Sequence, residues 1–292
     1  MTLRVDLKEQ KGEDARQFRT RHESHVMIDL ENVNPNYKEF LDHVECNGQK
    51  VGIGKNEWLK SNIIHSHRWN PMTRNYSDNI SLGSKRYSGN WTINGREFNQ
   101  SILELCDPRL DALADAIRHD IDADSTIVNK SRGCVIFTEF KGTAQSIQKQ
   151  DFKRLNELVN RRNCELKIHF LSGELDYHSA RNMLKKCEGQ AKFEEEYPIL
   201  ICTPAGEVGL NMAWATTLVH WDLHPNPQRL EQRTWRLDRR LKENTDFRES
   251  YLVLIPTLRD REIIDDLIDK INSRYNDSCQ SLGLLKREYI PN

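Results

Sequence analysis

The chain has 292 residues, 37% of them hydrophobic and 30% charged, and a formal net charge of −1 at pH 7. This length suits one large domain or two small ones, and the charge balance argues against a protein that coats nucleic acid through bulk positive charge, although a local basic strip is compatible with it. The seven cysteines include no CxxC pair, which is typical of reduced thiols and not of a disulfide framework or a zinc site. There is neither an apolar amino-terminal segment nor a run long enough to span a membrane, so we expect a cytoplasmic protein.

The first hundred residues contain few apolar runs, and Asn, Ser, Gly and Trp are dense over 69–99. Asn94 with Gly95 predicts a tight hairpin turn, and Asn47 with Gly48 suggests another. We interpret 1–105 as an irregular N-terminal extension laid against the domain that follows, and 276–292 as a C-terminal tail. The pair at positions 65 and 67, both histidines, has no cysteine or acidic partner nearby, so we expect no metal site.

From 106 to 275, apolar strands alternate with amphipathic helices. The predicted strands are 134–137, 166–171, 199–203, 217–222 and 251–255, and the predicted helices are 107–119, 143–163, 177–186, a segment after Pro227, and 260–271. Fully apolar strands that alternate with helices indicate an α/β domain with a doubly wound, mostly parallel sheet. Ligands of such sheets gather at the carboxyl ends of the strands, where the predicted strands place Ser172, Gly173, Thr203, Gly206 and Asp222.

The most informative segment is 199–240. A turn with Asn226 and Pro227 leads into a predicted helix that carries Gln232, Arg233, Arg236 and Arg239. Residues three and four apart share one face of a helix, so Gln232, Arg236 and Arg239 are expected to point roughly the same way. Guanidinium groups grouped on one face suit a phosphate.

This segment resembles the last two motifs of superfamily 2 helicases, and in particular the Snf2-type, or RNA-polymerase-associated, branch of DNA translocases. The loop TPAGEVGLNM, 203–212, matches the family form Thr-x-Ala-Gly-x-x-Gly-Leu-Asn-Leu, with Met212 in place of the last leucine. The sequences at 137–140 and 171–173, with Arg181, resemble earlier blocks of the same lobe. The resemblance covers about 107–271 and implies a RecA-like helicase lobe 2.

The resemblance also implies roles for individual residues. Arg236 and Arg239 correspond to arginine fingers, and Arg233 is expected to pair with an acidic group. The residues implied to contact the nucleotide are Gln232, Gly206, Glu207, Gly209 and Asn211, and those implied to contact DNA are Ser172, Gly173, Arg181 and Thr203.

No GxxxxGK[ST] phosphate loop occurs, and the fragment GIGKNE at Gly52 lacks both its spacing and its hydroxyl residue. We therefore expect ATP to be shared with a first helicase lobe, in the same or a separate chain, that holds the Mg²⁺ ion. The chain alone is not expected to hydrolyse ATP, and double-stranded DNA is the expected second partner.

Two other functions compete with this interpretation. One is a non-catalytic DNA- or protein-binding module that keeps the fold, which is favoured by Trp235 at the position of the family's glycine and by the sequence from Arg240 to Lys242 after the second finger. The other is a sugar-nucleotide glycosyltransferase, which would need an acidic ribose-binding pair at the start of a helix and has no role for the arginine helix.

Overall fold

A computed structural model describes residues 21–29, 80–82, 85–87, 92–93, 96–97, 109–122, 131–139, 141–149, 151–161, 163–204, 210–222, 224, 226–238, 247–255 and 261–281. The strands in chain order are β1 (Arg21–Asp29), β2 (Ile80–Leu82), β3 (Lys85–Tyr87), β4 (Thr92–Ile93), β5 (Arg96–Glu97), β6 (Cys134–Phe137), β7 (Glu165–Leu171), β8 (Glu196–Cys202), β9 (Thr217–His220) and β10 (Phe247–Ile255). The helices are α1 (Arg109–Asp122), α2 (Lys141–Lys149), α3 (Phe152–Val159), α4 (Tyr177–Gln190), α5 (Pro227–Leu237) and α6 (Arg261–Ser281).

Six strands form one sheet in the order β1-β10-β9-β6-β8-β7, and every neighbouring pair is parallel. The central strands β6 and β9 are buried along their whole length. Accordingly, β6 is an unbroken apolar run, and β9 shows no alternation of polar and apolar residues before the buried His220 at its end. The predicted parallel sheet is thus confirmed.

Helices cover both faces of this sheet, because successive side chains of a strand point to opposite sides. Cys134 and Ile136 of β6 belong to one core, and Val135 and Phe137 belong to the other. The first core is completed by α1, α2 and α3 through Leu113, Ile117, Ala144, Ile147, Leu155 and Val159, and the second by α4 and α5 through Ala180, Leu184, Cys187 and Leu237. The doubly wound arrangement is therefore confirmed.

The edge strand β1 comes from the predicted N-terminal extension. It pairs with β10 along all nine residues, from Arg21 opposite Phe247 to Asp29 opposite Ile255. Ile28 is buried, and Val26 packs against the first core. Part of the extension therefore belongs to the sheet, while the domain boundary near 105 stays a prediction.

The short strands of the extension form two antiparallel pairs. Thr92 and Ile93 of β4 lie opposite Glu97 and Arg96 of β5, which confirms the hairpin predicted at Asn94. The second pair joins β2 and β3. The turn proposed at Asn47 and the histidines at 65 and 67 lie outside the described residues.

Two predicted helices differ from the observed ones. The segment 143–163 is not one helix but two, α2 and α3, and α3 ends where Asn160 takes a left-handed conformation with φ of 44°. The arginine helix was predicted to carry Arg239, but α5 ends at Leu237 because Asp238 leaves the helical region with ψ of 71°.

Cys134, Cys187 and Cys202 are buried, Cys164 is half-buried, and all four are free thiols, as predicted. Burial raises the pKa of the Cys187 thiol to about 12. None of the helices within the described ranges has the length and apolarity needed to cross a bilayer.

Candidate nucleotide and nucleic-acid site

The carboxyl ends of β6, β7, β8 and β9 lie in register at one edge of the sheet. Phe137 is opposite both Cys202 and His220, and Leu171 is opposite Cys202. The pairing continues one residue further, since the Thr138 amide donates to Cys202 O and the Trp221 amide to Phe137 O, both at 3.0 Å. The loops that follow these four strands therefore begin side by side, as the parallel sheet predicts.

Asp222, at the end of β9, is the buried centre of this edge. Its Oδ2 accepts hydrogen bonds from the Thr138 hydroxyl and, at 3.0 Å, from the Glu139 amide. Arg109, also fully buried, lies with Nη1 3.6 Å from Asp222 Oδ1 and with its guanidinium 4.6 Å from the centre of the Trp221 ring. Burial raises the pKa of the Asp222 carboxyl to about 6 even though Arg109 and the Thr138 hydroxyl act in the opposite direction. Asp222 thus ties β9 to β6 and to the start of α1.

Glu139, the second residue after β6, forms ion pairs with two arginines of α5. Its Oε1 is in direct contact with Arg233 Nη2, and its Oε2 lies 3.4 Å from Arg229 Nη1. The Arg233 side chain is fully buried and also lies over the Phe137 ring, with 5.4 Å between guanidinium carbon and ring centre. The prediction that Arg233 pairs with an acidic group is confirmed, and Glu139 is that group.

The start of α5 is fixed by its own sequence. The Asn226 side chain accepts a hydrogen bond from the Gln228 amide at 3.0 Å, and Pro227 occupies the first helical position, where a missing N–H costs nothing. The underside of the helix is held by Glu249 of β10, which accepts from the Thr234 hydroxyl at 2.6 Å. Both ends of this contact are buried, so α5 has a fixed position on the sheet.

Glu249 also organises the strands beneath α5. His220 Nε2 lies 2.6 Å from Glu249 Oε1, and the Tyr251 hydroxyl donates to the same oxygen at 2.9 Å. The rings of His220 and Tyr251 are stacked at 4.5 Å between centres. A single carboxylate therefore joins β9, β10 and α5, which leaves little freedom for the helix to rotate.

Gln232 and Arg236 form the outer row of α5. Gln232 is exposed and Arg236 half-buried, and the backbone oxygen of Arg236 accepts a hydrogen bond from the Met212 amide at 2.9 Å. Asn211 is exposed, and its Oδ1 accepts from the Ala213 amide at 3.2 Å, so the amide group of Asn211 is the part that it can present as a donor. The structure thus places Gln232 one helical turn before Arg236, the predicted finger, and Asn211 next to Met212, which bonds to the Arg236 backbone.

Arg236 does not lie at the strand ends. Because α5 connects the parallel strands β9 and β10, it starts at the carboxyl edge and runs back across the sheet, which places Arg236 roughly 13 Å further along at 1.5 Å per residue. Arg229 and Arg233 are the guanidinium groups near the edge, next to Glu139. Arg239, Gly206, Glu207 and Gly209 lie outside the described residues.

The predicted nucleic-acid contacts lie around the loop after β7. Gly173 is exposed in a turn that begins at Ser172, whose Oγ accepts from the Glu174 amide at 3.4 Å. Thr203 is buried, and both its amide and its hydroxyl donate to Leu171 O, at 3.3 and 3.4 Å. Thr203 therefore holds the end of β8 against the residue before Ser172, and Arg181 is exposed on the helix that follows.

Sequence reasoning missed three charged residues that position the site. Arg109 appeared only as part of an amphipathic helix, and Glu139 only as part of a short motif. Glu249 sits in a strand segment with no marker of its own. The sequence did contain a signal for Glu139. An acidic residue directly after a buried strand lies at the carboxyl edge of the sheet, where the crossover helices also begin.

Comparisons with known proteins agree with this geometry. Residues 115–240 match the family model of the helicase conserved C-terminal domain. The RNA polymerase-associated protein RapA of Proteus mirabilis (strain HI4320) is 38% identical over 74 residues, which are 24% of this chain and 8% of RapA. RapA of Vibrio vulnificus (strain YJ016) is 38% identical over 80 residues, 26% of this chain and 8% of RapA. RapA of Pectobacterium carotovorum subsp. carotovorum (strain PC1) is 41% identical over 66 residues, 22% of this chain and 7% of RapA.

The matched part of the chain thus spans about 8% of the length of these curated relatives. Among solved structures, the C-terminal part of the Fun30 ATPase domain superposes with a TM-score of 0.47 and 13% identity, covering 85% of this chain and 89% of that chain. That likeness is too distant to bear on function. The family match over residues 115–240 and the similarity to RapA support a C-terminal helicase lobe of the Snf2 type.

Proposed function

We propose that this chain is the second lobe of an ATP-dependent DNA translocase and completes an ATP site whose phosphate loop lies on a first lobe. The observation that carries the proposal is that two arginines of α5 have different surroundings. Arg233 is buried against Glu139, whereas Arg236, three residues later, keeps part of its surface exposed beside Gln232 and the end of the 203–212 loop. Arg233 anchors the helix, and Arg236, half-buried and three residues further along, is the residue that we assign to a phosphate.

The donor chemistry of the outer row fits a nucleotide. A guanidinium, a carboxamide and the amide of Asn211 are all hydrogen-bond donors, and donors are what phosphate oxygens require. When ATP and Mg²⁺ are bound by the other lobe, they supply the phosphoryl group and its counter-ion. Arg236 and Arg239 then stabilise the charge that develops on the transferred group, an effect worth roughly 10³–10⁵ in rate for arginine fingers.

The proposed nucleotide contacts Gly206, Glu207 and Gly209 belong to the same loop as Asn211. Small residues in that loop let its backbone come close to a phosphate or to a DNA strand. This loop leaves β8 at Thr203, next to the Ser172 turn, and reaches α5 at Met212. The proposed ATP contacts at Asn211 and Arg236 are thereby connected, through this loop, to the backbone contacts proposed at Ser172, Gly173, Thr203 and Arg181.

The proposal is tested by reconstitution with the cognate first lobe, supplied in the same polypeptide or as a separate chain. The mixture is expected to hydrolyse ATP, and duplex DNA is expected to raise the rate, while this chain alone gives no turnover. Absence of DNA-stimulated hydrolysis under every pairing, with DNA binding intact, would favour a non-catalytic module.

The non-catalytic module is supported by Trp235, which stands at the position of the family's glycine. Its large side chain is half-buried and lies next to Arg236 in the sequence. Replacement of Trp235 by glycine separates the two candidates. In a motor, Trp235→Gly changes the turnover number of the reconstituted ATPase, and in a binding module it alters neither ATP turnover nor DNA affinity. The four free thiols of the described residues fit the cytoplasmic location that either candidate implies.

A further inference from the structure

The outer surface of α4 combines positively charged side chains with aromatic rings. Two neighbouring rows, each spaced by four residues, are exposed along it: Tyr177, Arg181 and Lys185 in one, and His178, Asn182 and Lys186 in the other. Residues four apart lie above one another on a helix. The six side chains thus form one continuous surface, here called the α4 strip, that contains cations, two aromatic rings and no carboxylate.

The acidic residues around the α4 strip are engaged elsewhere. Glu174 is in direct contact with Lys141, and Glu188 lies 3.5 Å from Lys192. Asp176 caps the helix by accepting from the amides of His178 and Ser179 and from the Ser179 hydroxyl, and this hydroxyl is the main reason that the pKa of Asp176 is lowered. No ion pair of the described residues involves Arg181, Lys185 or Lys186, so their charge is not locally neutralised.

The α4 strip begins where the proposed DNA contact ends. Ser172 and Gly173 form the turn before Asp176, and Tyr177 is the first residue of the helix, with 65% of its surface exposed and only an edge contact to the His178 ring. From Arg181 to Lys185 the helix rises about 6 Å, against about 3.4 Å per nucleotide along one strand of DNA. Arg181 and Lys185 are thus far enough apart to contact different phosphates of one strand.

We propose that the α4 strip is a nucleic-acid track that extends the contact at the Ser172 turn, with Arg181, Lys185 and Lys186 on backbone phosphates and the Tyr177 ring against a base or sugar at its start. The inference rests on the proposed function and deepens it, because it names the route of the nucleic acid away from the loop. Charge complementarity favours this partner, and an exposed aromatic ring beside a row of cations is the combination used to bind nucleic-acid strands. An acidic protein segment would use the cations but would leave Tyr177 without a role.

The test measures the salt dependence of DNA binding by the full chain, with fluorescence anisotropy of a short labelled duplex. The double variant Lys185→Gln/Lys186→Gln is expected to make the negative slope of log K against log salt less steep. The change should be about 0.9 for each phosphate that the protein no longer neutralises, or roughly 1.8 in all. Glutamine is a good helix former, so the fold is preserved. The matched control is Lys149→Gln/Lys153→Gln, which makes the same change in net charge on α2 and α3, across the sheet.

An unchanged slope in the α4 variant, or an equal change in the control variant, would contradict the proposal that the α4 strip binds nucleic acid. Either result leaves the proposed function standing as long as the wild-type chain binds DNA and the Ser172 turn is required. Tyr177→Ala is expected to weaken binding of a labelled single strand by about 5- to 150-fold without a change in slope. A polyglutamate peptide that binds through Lys185 and Lys186, with DNA affinity unaffected by their replacement, would assign the strip to a protein partner and contradict the proposal.

Discussion

The contact between Glu139 and Arg233 gives the sharpest prediction on stability. The Arg233 side chain has no exposed surface, and that of Glu139 is 19% exposed. Glu139→Gln keeps the shape of the side chain but removes the carboxylate that is in direct contact with a buried guanidinium. Removal of one partner of a buried pair costs about 3–5 kcal/mol. Because Glu139 retains some solvent contact, we expect the lower end, about 3 kcal/mol of the free energy of unfolding, measured by urea denaturation with an unchanged m-value.

The matched control for this variant is Glu174→Gln. Glu174 makes an equally direct contact with Lys141, but the two side chains are 74% and 47% exposed, so the decrease in stability is expected to stay below about 1 kcal/mol. A double variant, Glu139→Gln/Arg233→Met, removes the stranded charge and should be more stable than Glu139→Gln alone. Equal effects of Glu139→Gln and Glu174→Gln would refute the idea that Glu139 anchors the arginine helix.

Three further predictions concern other parts of the described fold. A Cβ on Gly133 would lie 2.6 Å from Trp214 Cζ3 and 3.0 Å from Pro198 O, whereas one on Gly189 meets nothing within 4 Å. In thermal or urea unfolding, Gly133→Ala should therefore lower the free energy of unfolding by about 1–3 kcal/mol, and Gly189→Ala should raise it by up to about 1 kcal/mol. The folded-state pKa of Asp222, about 6, is above its ordinary 3.8. Its contribution to stability is therefore fully present below pH 3.8 and is lost as the pH rises to about 6, by roughly 3 kcal/mol at 1.36 kcal/mol per pKa unit, and Asp222→Asn should flatten this part of the stability curve. Burial raises the pKa values of the Cys134 and Cys187 thiols, and that of half-buried Cys164 is also raised. Mass spectrometry after brief iodoacetamide treatment of the native protein should therefore find Cys164 labelled before Cys134 and Cys187, and simultaneous labelling of these three would contradict the described burial.

The part of the fold that could be predicted is the part that local sequence determines. Apolar runs such as 134–137 and 199–202 are buried on both faces, so their composition alone indicates a parallel sheet. The turn at Asn226 and Pro227 starts α5 because one side chain caps the helix and the other fits its first turn. These signals do not depend on distant residues.

The part that could not be predicted depends on distant pairing. The strand β1 has the sequence RHESHVMID, with few apolar residues, and it is a strand because β10 offers nine residues of parallel edge. Propensity gave no indication of that partner. The end of α3 depends on a left-handed Asn160, which helical periodicity alone does not reveal.

The same distinction applies to the candidate site. The family resemblance implied that Arg233 pairs with an acid, and its burial explains why, since a buried charge needs a partner. The identity of the acid, Glu139, required the register of β6 against the start of α5. Likewise, the location of Arg236 along the helix, next to Met212 and away from the strand ends, followed only from the direction of the crossover.

The most direct measurement of the central claim is the turnover number of the reconstituted ATPase at saturating ATP and DNA, compared between Arg236→Ala and Arg229→Ala. Both variants remove one guanidinium from α5, but Arg229 belongs to the row that contacts Glu139. We predict a loss of roughly 10³-fold or more for Arg236→Ala, with KM for ATP changed only a few-fold, and near-normal turnover for Arg229→Ala. Equal turnover of the Arg236→Ala and wild-type proteins would contradict the claim that Arg236 acts on a phosphate presented by another lobe.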